Sequence, residues 1–430
     1  MAIIGVIGAE HSLKNSNWTA SLVEASRRAV KAAWEQVWEI RRHNQRRVLE
    51  AFRQARISEF DLNGTTGYGY HDPSRKAVEE IYCTVFGTEA AIVRPQIVSG
   101  THAIAASLFG VCRPGSEILS ATGSPYDTLK RIISGPGPSL ADWGITYREV
   151  DLSPAGRCVP EAILAAINKN TSVVMFQRSK GYTVRPALSA RHIAETATLV
   201  KKAAPHVTTF VDNCYGEFVE EWEPTQIGGV DLLAGSLIKN PGGTLAIAGG
   251  YITGRRHLVS LAADAAIAPG LGLKVGPMLG LGRNLLQGFY FAPLFVAEAL
   301  CGGILAAHLF AELGFAVEPA WNGERADSVQ ALLLGSPEAV LAFCKAVQNS
   351  SPIDSTATPV PANLPGYQDP VVMAAGTFVQ GASSELSADA PMRPPYAVFM
   401  QGGSSREQIE VALETALEYL QQGGYLQISR

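Results

Sequence analysis

Two apolar runs in this 430-residue chain stop abruptly at side chains able to do chemistry, and a third opens a helix. Thr209-Phe210-Val211 ends at Asp212, and Ser236-Leu237-Ile238 ends at Lys239, ahead of Asn240-Pro241-Gly242-Gly243. Further upstream, Val98-Ser99-Gly100-Thr101-His102 leads into the apolar stretch Ala103 to Phe109. A lone carboxylate after a strand is ordinarily a turn residue. A lysine held between apolar strand residues and a glycine-rich turn is badly placed for water, and desolvation predicts a lowered pKa and a nucleophilic amine. Small residues before a helix offer free N–H groups and the positive end of the dipole, which suits a phosphate, although a simple N-cap is the ordinary reading. Together the amine, the carboxylate shortly before it and the anion cradle upstream form a far more specific pattern than any one of them.

Composition limits what such a site can serve. Hydrophobic residues make up 47% and charged residues 17%, enough apolar material for a large core and too little charge for a disordered chain. The formal charge of −4 comes with no basic run, which argues against a nucleic-acid groove and for a small-molecule enzyme. Six scattered cysteines without a CxxC pair, and eight scattered histidines, give no metal-ligand spacing and predict free thiols in a reducing cytoplasm. The apolar start, Met1 to Gly8, lacks a basic flank and is too short for a secretory signal. Phe289 to Phe310 imitates a membrane span, but Glu298, His308, Pro293 and Gly302-Gly303 interrupt it, so a buried helix pair in a large oligomer is expected.

The elements that position the three signals follow from periodicity. Trp18 to Ile57 reads as one or two helices. Strands are expected at 91–97, 117–120, 146–150, 172–176, 208–211, 232–236 and 249–253, with helices at 101–109, 126–133, 160–166 and 190–203 between them. Such alternation predicts βαβ units, an α/β fold and a mainly parallel sheet, whose ligands bind beyond the carboxyl ends of the strands. Further on, strands at 315–321 and 328–334, helices at 337–349 and 406–422, and a Pro/Ser/Thr-rich loop at 350–370 suggest a smaller α+β domain. The expected divisions are a helical segment at 1–60, a large cofactor-binding domain at 61–290, and a small C-terminal domain at 291–430 that includes the connecting helices.

At these positions the chain resembles the Cys/Met-metabolism branch of fold type I pyridoxal-phosphate (PLP) enzymes, which includes cystathionine γ-synthase, the cystathionine lyases and methionine γ-lyase. Val211-Asp212-Asn213-Cys214-Tyr215 is similar to that branch's VDNT(Y/F) motif, Ser236-Leu237-Ile238-Lys239 to its SxTK motif, and Ser99-Gly100-Thr101 to its SGM phosphate loop. Ser124-Pro125-Tyr126-Asp127-Thr128 falls where the branch has its ring-stacking tyrosine. A closer resemblance, from about residue 15 onward, is to the methionine γ-lyase-like "aluminium resistance" subfamily. It is carried by Gly67-Tyr68-Gly69-Tyr70-His71-Asp72, Val93-Arg94-Pro95-Gln96-Ile97 with Ser99-Gly100-Thr101-His102, Gln177-Arg178-Ser179-Lys180-Gly181-Tyr182, Lys239-Asn240-Pro241-Gly242-Gly243 and Arg393-Pro394-Pro395-Tyr396.

The resemblance implies a fold type I PLP-dependent transferase fold, with Lys239 holding PLP as a Schiff base and its freed amine later moving protons. It implies Asp212 on the pyridinium nitrogen, the Ser99-Gly100-Thr101 loop and the Ser236 hydroxyl on the phosphate, and Tyr126 stacked on the ring as a proton donor to the leaving group. Arg393 is the candidate grip on the substrate carboxylate. Tyr68 or Tyr70 would fill the place of a tyrosine that reaches into a neighbouring subunit's site. Two positions depart from the branch. Ile238 replaces a threonine that contacts the phosphate, and Gly69 stands near where an arginine is expected, leaving Arg75 or Arg283 to supply the charge. His102 is expected to bond to backbone, and Arg178 and Lys180 either to touch substrate or to form a solvated turn.

The implied activity is β- or γ-elimination from a sulfur-containing or related amino acid. γ-Replacement, or elimination of a halide in specialised metabolism, would use the same equipment. Transamination or decarboxylation fits the flanking motifs less well. A non-catalytic or metal-tolerance role has no acidic cluster or ligand spacing to support it. The resemblance also implies composite sites in a homodimer at least, and a homotetramer by expectation, with no membrane or nucleic-acid partner.

Overall fold

The computed structural model describes residues 18–426; the Met1–Gly8 stretch lies outside the described residues. Two helices open the chain, α1 (Trp18–Ala29) and α2 (Lys31–Gln54), followed by α3 (Pro73–Phe86). The large sheet then forms with its helices: β1 (Ala90–Arg94), α4 (Gly100–Val111), β2 (Glu117–Ser120), α5 (Asp127–Ser134), β3 (Thr146–Glu149), α6 (Pro160–Ala166), β4 (Thr171–Gln177), α7 (Ala190–Ala203), β5 (Thr208–Asp212), α8 (Pro224–Ile227), β6 (Leu232–Ser236), β7 (Gly250–Gly254) and α9 (Arg256–Ala266). Its seven strands run in the order β1-β7-β6-β5-β4-β2-β3, parallel except for β7, which is antiparallel to both β1 and β6. Helices cover both faces, so a central strand such as Val173-Val174-Met175-Phe176 is apolar throughout rather than alternating.

This topology sets the site. β5 and β6 are direct neighbours, with Asp212 opposite Ala234, so Asp212 and Lys239 leave the sheet at one edge. Two antiparallel steps make β1 run the same way as β6. The chain therefore leaves β1 at that edge too, and the amino end of α4 faces both residues.

The second layer begins with α10 (Gly282–Glu312) and continues through β8 (Ala316–Glu318), β9 (Val329–Leu333), α11 (Pro337–Asn349), β10 (Val371–Ala374), β11 (Ser387–Pro391), β12 (Ala397–Gln401) and α12 (Arg406–Gln422). These five strands form an antiparallel sheet in the order β10-β11-β12-β9-β8. Strands β10, β11 and β12 lie outside the elements expected from the sequence. Ser387-Ala388-Asp389-Ala390-Pro391 is built of poor strand formers, and only its neighbours in the sheet make it extended. Helix α3 lies outside them too, although Asp72 accepts the Arg75 N–H at its start, Pro73 follows, and Gly87 closes it in the left-handed region.

The expected helix pair at 289–310 is corrected to one 31-residue helix, α10, with Pro293 inside it and most of its apolar surface buried against the rest of the chain. Its glycines are points of close approach rather than breaks. A Cβ on Gly302 would collide with Ile409 of α12, and one on Gly288 would collide with the Gly242 carbonyl in the turn after Lys239. Gly243 in that turn sits at φ +49°, where a side chain would strike the Gly288 carbonyl. Gly288→Ala should therefore lower stability by about 1–3 kcal/mol, the usual cost of overpacking, read as a shift in the urea midpoint. An unchanged midpoint would mean that α10 does not press on the Lys239 turn.

Candidate functional site

The site is assembled where three elements end. Gly100 opens α4 so close to the neighbouring strand ends that a Cβ on it would lie 3.0 Å from the Ser236 Cβ and 3.1 Å from the Cys214 Sγ. The Ser99 hydroxyl caps the helix by accepting the His102 N–H (3.1 Å), leaving the first-turn N–H groups of Gly100 and Thr101 without intrahelical partners. His102 accepts the Val98 N–H through Nδ1 (3.2 Å), a backbone bond as expected. Asp212 is buried at the end of β5, its Oδ1 accepting the Cys214 N–H (3.1 Å). Burial pushes its carboxyl above the usual range, against the pull of Lys239.

Lys239 is partly buried, with Nζ 4.1 Å from the centre of the Tyr215 ring. Desolvation by itself predicts a lowered pKa for this amine. Burial does act in that direction, but Cys214, Tyr215 and Asp212 around the amine prevail and hold it above the ordinary lysine range. Tyr215 belongs to the quoted Val211–Tyr215 motif but had been given no role. It sits at φ +69°, uncommon for a bulky residue. Its carbonyl is held there by the Asn240 side chain (2.9 Å) and the Ser328 N–H (3.0 Å). The Ser328 hydroxyl in turn donates to Asn240 (3.0 Å), which ties the second layer to the residue after Lys239.

Tyrosines form one wall. The Tyr126 N–H donates to Gln177 (2.8 Å), and its hydroxyl lies 2.7 Å from that of Tyr367. Tyr182 meets the Tyr126 ring edge-on at 5.4 Å, stacks on Tyr367 at 5.8 Å and donates to Asp389 (3.0 Å). Burial holds the Tyr126 hydroxyl protonated, well above its usual range. The Thr101 and Thr128 hydroxyls, 3.3 Å apart, join the start of α4 to that of α5. Tyr182 stands in the quoted Gln177–Tyr182 phrase without an expected role, whereas Tyr367 and Asp389 are brought here from distant segments with no local signal of their own.

Other candidates lie at the rim or in the framework. Arg393 is partly buried beside Asp127 (3.8 Å) and paired with Asp369 (2.8 Å), so a substrate carboxylate there would compete with Asp369. Tyr68 and Tyr70 are 73% and 55% exposed and stack on each other at 5.5 Å, apart from the Tyr126 cluster. Arg75 is buried, its guanidinium engaged by the carbonyls of Gly69, Tyr70, Lys274 and Gly276; Arg283 is exposed at the start of α10. Arg178 and Lys180 form no solvated turn. Arg178 is fully buried against Glu220 (2.5 Å), Glu223 (3.0 Å) and Asn213 (2.8 Å), beneath Asp212. Lys180 is buried on Asp327 (2.8 Å) and the Val329 carbonyl (2.9 Å), locking the two layers together.

The donor set fits PLP: an amine for its aldehyde, a buried carboxylate for its ring nitrogen, and at Gly100 a helix start whose clearance a single Cβ would fill.

Comparison with known proteins agrees. Residues 19–421 match the family model for methionine gamma-lyase. The chain is 46% identical over 408 residues to the uncharacterized protein YnbB of Bacillus subtilis, covering 94% of this chain and 96% of that one. It is 28% identical over 190 residues to the L-methionine gamma-lyase of Pseudomonas putida, covering 44% and 42%. Among solved structures, a carbon-sulfur lyase involved in aluminum resistance from Clostridium novyi is 39% identical with a TM-score of 0.89, covering 94% of this chain and 96% of that one. The pyridoxal-5'-phosphate dependent protein YhfS from Escherichia coli shares only the fold, at 17% identity and TM-score 0.59, covering 90% and 97%. The architecture is that of fold type I PLP enzymes.

The framework charges can be tested by themselves. Lys180→Met would leave Asp327 buried and unpaired, and should cost about 3–5 kcal/mol in chemical denaturation. Adding Asp327→Leu should recover much of that loss, because the penalty comes from the orphaned carboxylate. A double variant as unstable as the single would show that packing alone is at stake.

Proposed function

The chain belongs to the methionine gamma-lyase family, and on that footing we propose that it is a PLP-dependent carbon–sulfur lyase, eliminating a thiol from the β or γ carbon of a sulfur-containing or related amino acid. The observation that carries this reading is the Lys239 amine over Tyr215, with Asp212 on the adjacent strand and the Gly100 helix start against both strand ends. When bound, PLP supplies an electron sink that stabilises negative charge at the substrate Cα.

Each residue then has a task it can perform. Lys239 would hold the aldehyde, and Asp212 would keep the ring nitrogen protonated. The Gly100 and Thr101 N–H groups, the Ser99 loop and the Ser236 hydroxyl would bind the phosphate. Ile238 offers no hydroxyl, and the Thr101–Thr128 pair can take over that contact. The acidic groups around Lys239 make its freed amine a strong proton acceptor, suited to the Cα proton and, for γ-elimination, to a second one at Cβ. Tyr126, held protonated, would donate to the departing thiolate. Thiol leaves first, and water then hydrolyses the unsaturated amino acid that is released to ammonia and a 2-oxo acid. Arg393 would exchange Asp369 for the substrate carboxylate.

The assembly proposed is a homodimer at least, and more specifically a homotetramer with composite sites. Tyr68, Tyr70, Val98 and Leu279 are all exposed, and hydrogen bonds from Gly276 to Tyr68 and from Leu279 to Thr65 bind two of their segments together. Large apolar groups left in water at this density favour a second copy. The free cysteines fit a reducing compartment, the cytoplasm.

Borohydride reduction of the yellow protein should tag Lys239, and Lys239→Ala should stay colourless and release 2-oxo acid at least about a hundredfold more slowly. A tag on another lysine overturns the site. Failure to release 2-oxo acid from any S-substituted cysteine or homocysteine overturns the lyase reading. Sedimentation should give a dimer or tetramer, and an active monomer would remove the composite site.

A further inference from the structure

The second-layer wall of this site carries a carboxylate. Along β11 and β12, Ala388, Ala390, Val398 and Met400 join the main hydrophobic core, which sends Ser387, Asp389, Phe399 and Gln401 to the opposite face. That face looks onto the site. Phe399 packs with Tyr182 and Tyr215, and the Ser383 N–H just before β11 donates to the Ile238 carbonyl (3.3 Å), beside Lys239. Asp389 is buried here, its Oδ2 taking both the Tyr182 hydroxyl (3.0 Å) and the Gln401 amide (2.8 Å). Its Oδ1 accepts nothing among the described residues. Two positions along the same face, the buried Ser387 hydroxyl has no hydrogen-bond partner either.

A half-engaged carboxylate on a buried aspartate and a buried hydroxyl with no partner, two residues apart on one strand face, leave polar groups that a ligand can satisfy. The nearest cation to Asp389 is Lys239, whose amine would be engaged by the cofactor's aldehyde rather than hydrogen-bonded to Asp389. Arg393 is already paired with Asp369. An ammonium group, with three N–H donors and a positive charge, would satisfy both Asp389 Oδ1 and Ser387 Oγ.

Building on the lyase reading, we propose that Asp389 and Ser387 form a subsite for a protonated amine on the substrate's side chain, so that the enzyme prefers amino acids whose thioether arm ends in a cation over those ending in plain alkyl. Burial raises the Asp389 carboxyl to about 6, leaving it ionised at neutral pH and able to bind a cation there. The groups facing it, Lys239, Tyr182, Tyr215 and Cys344, are all held above their ordinary values, so none of them titrates near pH 6.

The test uses an isosteric pair, S-(2-aminoethyl)-L-cysteine and S-propyl-L-cysteine, titrated calorimetrically into borohydride-reduced holoenzyme, where no turnover occurs. The amine should bind at least about tenfold more tightly at pH 7.5, as a charge-assisted contact requires. That ratio should fall towards one in Asp389→Asn, shrink in Ser387→Ala, and be partly kept in Asp389→Glu. In the unmodified sequence it should also fall as pH drops from 7.5 to 5, a readout that does not depend on any variant folding. Equal affinities for the two compounds, or a ratio untouched by Asp389→Asn and by pH, would overturn the subsite. If the ratio holds while the active holoenzyme releases 2-oxo acid from neither compound, the subsite stands and the lyase reading falls.

Discussion

An ammonium taken largely out of water must be answered by its neighbours, because the desolvation of a charge costs several kcal/mol that only close partners offset. Around Lys239 the answer comes from the Tyr215 ring beneath the amine, Asp212 on the next strand and Asp389 across the cleft. Each partner imposes a further requirement. The position of Tyr215 demands a left-handed backbone, which Asn240 and Ser328 hold in place. Ser328 comes from the second layer, so the docking of that layer and the setting of the amine are one arrangement. The same partners that keep the amine charged in the free protein make it a strong base once it is released.

Further buried charges keep that arrangement rigid without taking part in it. Arg178 braces Asn213 under Asp212, Lys180 clamps Asp327, Arg94 gathers the carbonyls of Gly272, Leu273 and Val275, and Arg75 holds the loop that carries Tyr68 and Tyr70. Buried ion pairs are poor sources of net stability, but a charge bonded to several carbonyls admits few alternative geometries. Residues that looked like candidate substrate contacts in the sequence are thus spent on fixing loops. The exposed Tyr68–Tyr70 pair is the opposite case: its backbone is anchored while its rings project outward.

The line between what could be read and what could not follows the range of the interactions. The strand ends at Asp212 and Lys239 and the small-residue helix start at Ser99–Thr101 were legible, because an apolar run stopping at a polar residue is a local signal. So was the alternation of strands and helices in the large layer, where burial on both faces writes continuous apolar runs. The small sheet was less legible. Ser387–Pro391 is a strand because β10 and β12 flank it, and Asp389 enters the site because alternate residues of that strand face the core. Pro293 and Gly302-Gly303 suggested a break where α10 continues; the small profile of Gly302 admits Ile409 of α12, and Gly303 faces Arg325 and, in β9, Gln330.

By itself the sequence determined the class of fold, the lysine and the carboxylate behind it, since these rest on spacing within a few residues and on the order of elements along the chain. Tertiary structure alone decided the environment of that lysine. Its amine sits above rather than below the ordinary range because Cys214, Tyr215 and Asp212 are gathered around it, and the opposite wall is acidic because the small sheet folds Asp389 towards it. Electrostatics between groups in contact depends on distances of a few ångströms between residues that can lie more than a hundred positions apart, and spacing along a chain does not encode those distances.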